Sequence, residues 1–404
     1  MLFLVVAAAA SATAQEALVP SDREIDPSET ARFRLGPLRF TPSISLTNLG
    51  VDTNVFNEST NPKQDTIGAI GPAANLWMHM GPSLFTGRAS AEYLYFDRYE
   101  SQRAWNQAHR LKWEVPLGRF IPFALGDYAN TKNRTGYEID SRVRQKDQRV
   151  GLGTEMELSG QWRLIMAATR SLVAYDRHES PLAEDLSTSL DRWTNAEKLQ
   201  LRYRLTPLTT FLVNAEATQD RFVYDELRNT NSIAVLPGFE MKPSALISGK
   251  VNIGFRTFTP LREVIPEYRG PVASVDATFV ARSTRLGVKV GRDVSYSYQK
   301  NLPYYTLTDV MLQLTERLSY TWDVVLQGGR QTLDYAVIRT ALLTTDPQVD
   351  TIYQYGAGIG YRVGHTVRFG VDGIYFRRRS NAVPLQRDCE GLRIAASATY
   401  GLPQ

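Results

Sequence analysis

Apolar and polar residues alternate strictly along much of this chain. In the segment EKLQLRYRL (197–205), three leucines and a tyrosine occupy every second position, with Lys, Gln and Arg between them. A period of two residues predicts a β-strand with one apolar and one polar face. The same alternation recurs around 249–256, 353–362 and 392–400, and it is blurred around Ile165 and Phe120–Leu125. From residue 38 onward the pattern predicts an all-β protein, and by itself it does not say which face meets water.

Short turn signals divide the alternating segments into pairs, at intervals of about 35 to 46 residues. The turns are Gly81-Pro82, Pro116-Leu117-Gly118, Ser159-Gly160, Thr206-Pro207, Lys242-Pro243, Ser283-Thr284, Ser319-Tyr320 and Gly364-His365. Longer connections rich in Asn, Asp and Arg separate them. Eight short turns at one end and nine longer loops at the other predict about eighteen strands. This is the pattern of a transmembrane antiparallel up-and-down β-barrel of the outer membrane.

Two soluble folds are the alternatives to a membrane barrel. A β-propeller repeats at a similar interval, but each blade packs four short strands into it. Here each interval holds two alternating segments of ten or more residues, which is long enough to cross a bilayer when tilted. A multidomain β-sandwich would place most tryptophans in mid-strand. Trp113, Trp162 and Trp322 instead lie beside short turns, and Trp105 and Trp193 follow long loops, as interfacial girdles require.

Composition and the chain start favour export to the bacterial outer membrane. The mean hydropathy of −0.28 argues against a bundle of membrane helices, and 46 basic and 42 acidic residues without a basic block argue against nucleic-acid binding. An apolar run ends in Ala12-Thr13-Ala14, which predicts a signal peptide over 1–14; a buried first helix or strand is the alternative. We then expect a periplasmic lead-in over 15–35 and the barrel over 36–404. The single cysteine, Cys389, excludes an intramolecular disulfide.

If the polar face lines the barrel, its cations become candidate pore-lining residues. The predicted set is Lys198, Arg202, Arg204, Lys250, Arg256, Arg285, Lys289, Arg368 and Arg393, within a wider group that includes Arg88. Such a lining favours anionic solutes, for example acidic glycans, through its local field. The alternative is that these cations pair with carboxylates on neighbouring strands. The choice depends on strand register, which the alternation does not define.

Two smaller sets of residues are ambiguous. Phe96, Phe222, Tyr224 and Phe376 have inward parity near the outer strand ends, where they would form a saccharide track or pack against loops. Arg170, Arg221 and Arg292 fall on the lipid face. For Arg221 we expect a position at the outer rim, within reach of lipopolysaccharide phosphates. For Arg170 and Arg292 we expect a β-bulge that turns the side chain away from lipid.

The chain shows little sign of enzyme chemistry. Its four histidines are scattered without metal-ligand spacing, and neither G-x-S-x-G nor a P-loop is present. His178 shares an outer loop with Asp176, Glu179 and Ser180, but a solvated loop is the simpler interpretation. We therefore predict no catalytic site, no metal and no cofactor.

The block LGPLRFTPSISLTNLGVDTNVF (35–56) resembles the opening of an outer-membrane β-barrel porin family often encoded beside bacterial exopolysaccharide export genes. Gly71-Pro72 and Lys242-Pro243-Ser244 are similar too, whereas the missing basic start and the ending Tyr400-Gly-Leu-Pro-Gln depart from the pattern. The resemblance implies passage of a saccharide polymer or other hydrophilic solute. The alternative is a structural or surface-binding barrel without an open pore. Export or uptake, and a periplasmic export partner docked on the short turns, remain open at this stage.

Overall fold

The computed structural model of the protein describes residues 27–134, 136, 138–177, 185–338, 348–382 and 387–401. The predicted signal peptide, residues 15–26 of the predicted lead-in, and His178 lie outside these ranges. The rest of the lead-in is a 3₁₀ turn, Pro27–Thr30, and a short strand, β1 (Phe33–Leu35), which pairs with the first barrel strand. Ordered pairing therefore begins just before residue 36.

Eighteen long strands, β2 to β19, form one closed antiparallel ring in which each strand pairs with the next and β19 pairs with β2. Their bounds are β2 Leu38–Asp52, β3 Asp65–Met80, β4 Ser83–Phe96, β5 Ala104–Glu114, β6 Phe120–Asn133, β7 Val143–Glu157, β8 Trp162–Tyr175, β9 Arg192–Arg204, β10 Thr209–Phe222, β11 Thr230–Met241, β12 Ile247–Pro260, β13 Tyr268–Ala281, β14 Thr284–Tyr296, β15 Tyr304–Arg317, β16 Trp322–Ala336, β17 Val349–Val363, β18 Val367–Ser380 and β19 Cys389–Tyr400. The predicted fold class and strand number are confirmed.

Connection lengths distinguish the two ends of the barrel. Between consecutive strands, eight connections of two to five residues alternate with nine of seven to sixteen residues. Short turns mark the periplasmic end of such barrels and long loops the outer end. All eight predicted turns lie at the short end, and one is shifted by a residue, to Arg282-Ser283, where Arg282 adopts a left-handed φ of 52°. Within the described part of the chain, no helix is long and apolar enough to cross a membrane.

The outer face of the barrel is apolar and carries aromatic pairs at both ends. Mid-strand residues such as Leu152, which is 69% exposed, point away from the barrel. Near the periplasmic turns Trp162 stacks on Tyr203, with ring centroids 4.5 Å apart. Near the outer end Tyr93 packs on Trp105. This is the belt with two girdles that a bilayer requires of a barrel surface.

The blurred alternation around Phe120–Leu125 and Ile165 has a structural cause. Phe123, Leu125, Ile165 and Ala167 form a buried cluster on the inner face of β6–β8. Their outward neighbours are apolar as well, because they meet the membrane belt. Both faces of these strands are therefore apolar, and the period of two fades.

The predicted bulges before Arg170 and Arg292 are wrong. Strand register runs without a shift through both residues, so both side chains stay on the outer face. The Arg170 guanidinium lies 4.5 Å from the ring centroid of Trp193, and Arg292 donates a 2.5 Å hydrogen bond to Thr308 Oγ1. Each arginine is accommodated in the outer part of its strand by a polar or aromatic neighbour rather than by a change of register.

Candidate channel interior

Six of the nine predicted pore cations form ion pairs on the inner wall. They are Lys198–Glu216 (3.0 Å), Arg202–Glu240 (3.0 Å), Lys250–Glu240 (3.1 Å), Arg256–Asp293 (2.8 Å), Lys289–Asp276 (3.3 Å) and Arg368–Asp323 (2.6 Å). Most of these pairs join strands of the β9–β14 wall. For these six residues the geometry matches the pairing interpretation rather than a row of free cations.

The other three predicted cations differ from this group. Arg204 lies at the periplasmic end of β9 and donates a 2.6 Å hydrogen bond to the carbonyl oxygen of Gly160. Among the described residues, Arg285 and Arg393 have no carboxylate within ion-pair distance. Arg393 stands directly opposite Asp52 across the seam between β19 and β2. These three residues do not form one group.

A cavity of about 750 Å³ occupies the other side of the interior, along β2–β6 and β17–β19. Thr41 and Gly401 line it near the periplasmic end, and the β6–β7 loop lines it near the outer end. The wall between them mixes small polar residues, for example Ser43, Ser45 and Asn75, with alanine, glycine and larger apolar residues. A cavity of this volume is in the range that holds a small ligand.

The β6–β7 loop, whose described residues are 134, 136 and 138–142, crosses the outer mouth as a roof loop. Glu138 accepts hydrogen bonds from Ser297 Oγ (2.5 Å), the Tyr298 amide (3.2 Å) and Gln299 Nε2 (3.1 Å) in the β14–β15 loop. In an eighteen-stranded ring that loop is close to diametrically opposite. The roof loop therefore spans the lumen.

A second anchor holds the roof loop to β18 and β19. Arg378 donates two hydrogen bonds to the Asp140 carboxylate, at 2.6 and 2.8 Å, and Arg387 approaches the same carboxylate at 3.8 Å. Asn57 Nδ2 donates to Asp140 Oδ1 at 3.0 Å. Paired, bidentate contacts of this kind fix orientation as well as adding attraction.

Apolar packing supports the roof loop from the β8–β9 side. A short helix, α1 (Leu186–Leu190), is capped by Asp185, whose side chain accepts a hydrogen bond from the Ser187 amide. Leu186 and Leu190 pack with Ile139 of the roof loop and Val143 at the start of β7 in one buried cluster. Burial of these side chains opposes displacement of the loop into water.

Burial also changes the protonation of the charged roof-loop residues. Desolvation raises the pKa of Glu138 in spite of its hydrogen bonds to Ser297 and Gln299 and the nearby Arg387 charge. Desolvation, then repulsion from Arg134, and further repulsion from Arg393 lower the pKa of Arg142 to about 9. The roof loop therefore carries charges that are poorly solvated.

The four candidate aromatic residues do not form a track. Phe96 and Phe222 are buried, in clusters beneath the outer loops. Phe376 lines the cavity. Tyr224 lies beyond the end of β10, half exposed, with the Arg177 guanidinium 4.6 Å from its ring centroid. Loop packing is the observed role of the two buried rings.

Sequence reasoning missed the roof-loop residues Arg134, Glu138, Asp140 and Arg142. The sequence did contain an indication of this role. The connection KNRTGYEIDSRVRQK combines residues of both charge signs with isolated apolar residues, and a loop surrounded by water has no need of those apolar side chains. Among the described residues, no group of three His, Cys, Asp or Glu side chains is arranged to hold a metal ion. The absence of catalysis stays a prediction.

Comparisons with known proteins show the fold alone. No protein-family profile and no curated protein sequence matches the chain. The outer membrane protein opdK from Pseudomonas aeruginosa is similar in structure, with a TM-score of 0.50 and 9% identity over 90% of this chain and 98% of that one. A BenF-like porin from Pseudomonas fluorescens Pf-5 gives a TM-score of 0.48 and 9% identity, over 91% and 100% of the two chains.

The fold and its surface define the class of protein. A closed ring of eighteen antiparallel strands with an apolar belt and aromatic girdles is a bacterial outer-membrane β-barrel. The chain is thus located in the outer membrane, with the roof loop on its outer side.

Proposed function

We propose that this barrel is a porin-like channel for hydrophilic solutes whose outer mouth is restricted by the roof loop. The carrying observation is the cavity of about 750 Å³, lined in part by polar and charged side chains, that extends from the periplasmic end to the underside of the roof loop. A barrel of this strand number encloses more space than its wall side chains fill. Hydroxyl, amide and charged side chains stand between the apolar residues of the wall, so the space can hold water and hydrophilic solutes.

Saccharide cargo is the finer part of the proposal. It is supported by the N-terminal block that resembles the porin family associated with exopolysaccharide export. Serine, threonine and asparagine side chains along the cavity supply donors and acceptors for hydroxyl groups. A polymer would pass only after displacement of the roof loop, and a periplasmic export partner would dock on the short turns.

A barrel without an open pore is the second candidate function. The roof loop favours it, because bonds from Glu138 and Asp140 tie that loop to two other parts of the rim. In this case the loops would bind an external partner and the cavity would be a closed recess.

Planar-bilayer recording of the full-length protein and a Glu138→Ala variant separates the two candidates. The substitution removes the three hydrogen bonds to the β14–β15 loop, so the roof loop should open more often and mean conductance should rise severalfold. Glu263→Ala, in the exposed β12–β13 loop, is the matched control and should conduct like the wild type. No current from either the wild type or Glu138→Ala would reject the channel.

Contact with lipopolysaccharide is also part of the proposal. On three strands an outward-facing aromatic residue lies at the periplasmic end, and an arginine follows it eight positions later along the chain. These arginines are Arg170, Arg330 and Arg377. They therefore reach a similar height near the outer girdle, where their guanidinium groups would meet lipid phosphates. Arg221 and Arg292 face outward at comparable heights on β10 and β14.

A further inference from the structure

In two arginines that face the cavity, the Nε atom has no hydrogen-bond acceptor within the described part of the chain. The Nε atoms of Arg142, in the roof loop, and Arg393, on β19, are buried and have no acceptor among the described residues. Both side chains line the same cavity. Arg142 lies over the Phe96 ring, 4.8 Å from its centroid, which fixes the guanidinium without neutralising it. Taking part of a guanidinium group out of water without a carboxylate at ion-pair distance is costly.

Neighbouring charges both repel and attract the Arg142 guanidinium. Arg134 lies close enough to lower the pKa of Arg142 by repulsion, after the larger effect of burial. Asp52 and Glu92 attract it, but among the described residues neither lies within ion-pair distance of Arg142, and each accepts a hydrogen bond from another residue, the Asn54 amide and Asn106 Nδ2 respectively. By contrast, Lys198 and Arg202 on the β9–β11 wall each have a carboxylate partner at 3.0 Å.

The charged residues around the cavity indicate which charge a bound solute should carry. Among the described residues, five arginines and three carboxylates line it: Arg88, Arg134, Arg142, Arg378 and Arg393 against Asp52, Glu92 and Asp372. Asp140 neutralises Arg378 at 2.6 Å. A single positive charge remains, which suits a monoanion better than a multiply charged phosphate.

We propose that Arg142 and Arg393 form a binding site, under the roof loop, for the carboxylate of an acidic solute of mono- or disaccharide size. The planar guanidinium fork matches a carboxylate in a bidentate arrangement. The cavity volume accommodates a sugar ring attached to that carboxylate, and its hydroxyl and amide side chains suit the ring hydroxyls. The saccharide part rests on the proposed function; carboxylate binding rests on the two arginines.

Calorimetric titration of the full-length protein in detergent tests the site, with sodium glucuronate as the probe and glucose as the neutral comparison. Glucuronate should bind and glucose should bind far more weakly. Arg393→Gln and Arg142→Gln should each weaken glucuronate binding by about tenfold or more, the usual effect of losing a charge-assisted hydrogen bond. Arg262→Gln removes the same charge from the exposed β12–β13 loop and should bind like the wild type.

Thermal unfolding distinguishes binding from a structural role. Neither Nε has an acceptor to lose, so Arg393→Gln should melt at or above the wild-type temperature, whereas a structural arginine would melt lower when replaced. Equal affinity for glucuronate in wild type and both variants, or equal affinity for glucuronate and glucose, would overturn the site.

Bilayer recording separates failure of the site from failure of the channel. In an open channel, glucuronate should block the wild-type current and block Arg393→Gln at least severalfold less. Current with identical block in both proteins would reject the site and keep the channel. Calorimetric binding without any current would reject the channel and keep the site.

Discussion

Arginine occupies three settings in this barrel, and its chemistry differs in each. On the inner wall Arg256 is paired with Asp293 at 2.8 Å, so its charge supports strand association. Under the roof loop Arg393 has no such partner and faces the cavity. On the outer face Arg170 lies against Trp193 near the outer girdle. The residue type predicts a charge, and only its neighbours decide whether that charge is available to a solute.

Asp191, between helix α1 and β9, makes the outer loops sensitive to pH. It is buried, accepts a 2.7 Å hydrogen bond from the Tyr175 amide, and burial raises its pKa from 3.8 to about 6. Between those values the folded protein holds a proton that the unfolded chain has lost. The resulting stabilisation is present below the unfolded pKa and disappears as the pH rises through about 6.

Asp191→Asn should remove this dependence, because the neutral amide oxygen still accepts from Tyr175. Thermal unfolding of wild type and variant at about pH 5 and about pH 7.5 measures it. The variant should gain stability relative to the wild type at the higher pH. An unchanged difference between the two proteins at both pH values would contradict the assignment.

At the scale of elements, the closing seam between β2 and β19 is the irregular part of the ring. β2 is irregular at Asn48, which adopts a left-handed φ of 54°: its register against β3 shifts between Thr47 and Gly50, and its register against β19 shifts between Ala396 and Ala398. A Cβ at Gly50 would lie 1.9 Å from the carbonyl oxygen of Ile394, so β19 approaches too closely for any side chain. Glycine is required here for space.

Gly50→Ala should therefore loosen the seam, by about 1 to 3 kcal/mol for an overpacked site. The temperature at which the folded barrel loses its compact mobility on semi-native gels should fall. Gly126→Ala on β6 is the control, since nothing lies within 4 Å of a Cβ there, and it should behave like the wild type. Equal melting of the two variants would show that the seam tolerates a methyl group.

Strands were predicted correctly where the alternation of apolar and polar residues extended over a whole segment. The alternation in EKLQLRYRL marks β9 because the polar residues from Lys198 onward meet inner neighbours, while the leucines within the strand meet lipid. It weakened at Phe123 and Ile165, where an apolar cluster inside the barrel removes the contrast between faces. The roof loop was missed because the bonds of Glu138 join residues about 160 positions apart, and no local pattern records them.

At the scale of the whole molecule, the outer belt couples folding to the membrane. Leu199 on β9 is 45% exposed and lies between the aromatic girdles. Leu199→Arg should reduce the amount of assembled barrel, since arginine on the lipid face costs about 2 to 4 kcal/mol at the bilayer midplane. Leu199→Phe keeps the position apolar and should assemble normally.

Assembly is measured as the heat-modifiable fraction of the protein in outer-membrane preparations. If both Leu199 variants assembled to the same extent, the outward face of β9 would not be in lipid. Substitution of arginine at an inner-face position such as Gln200 should not reduce the amount of assembled barrel, because that side chain points into the barrel.

The sequence by itself determined the membrane barrel: the alternation, the two classes of connection and the end-placed tryptophans are local patterns, and each follows from the contact of a tilted strand with lipid on one side. Tertiary structure decided which charges are paired, where the cavity lies and what covers it. Lys198 and Arg393 look alike in their strands, yet one faces Glu216 and the other faces the cavity. The reason is physical: pairing depends on register and on loops that cross the lumen, and both are set only when the ring closes.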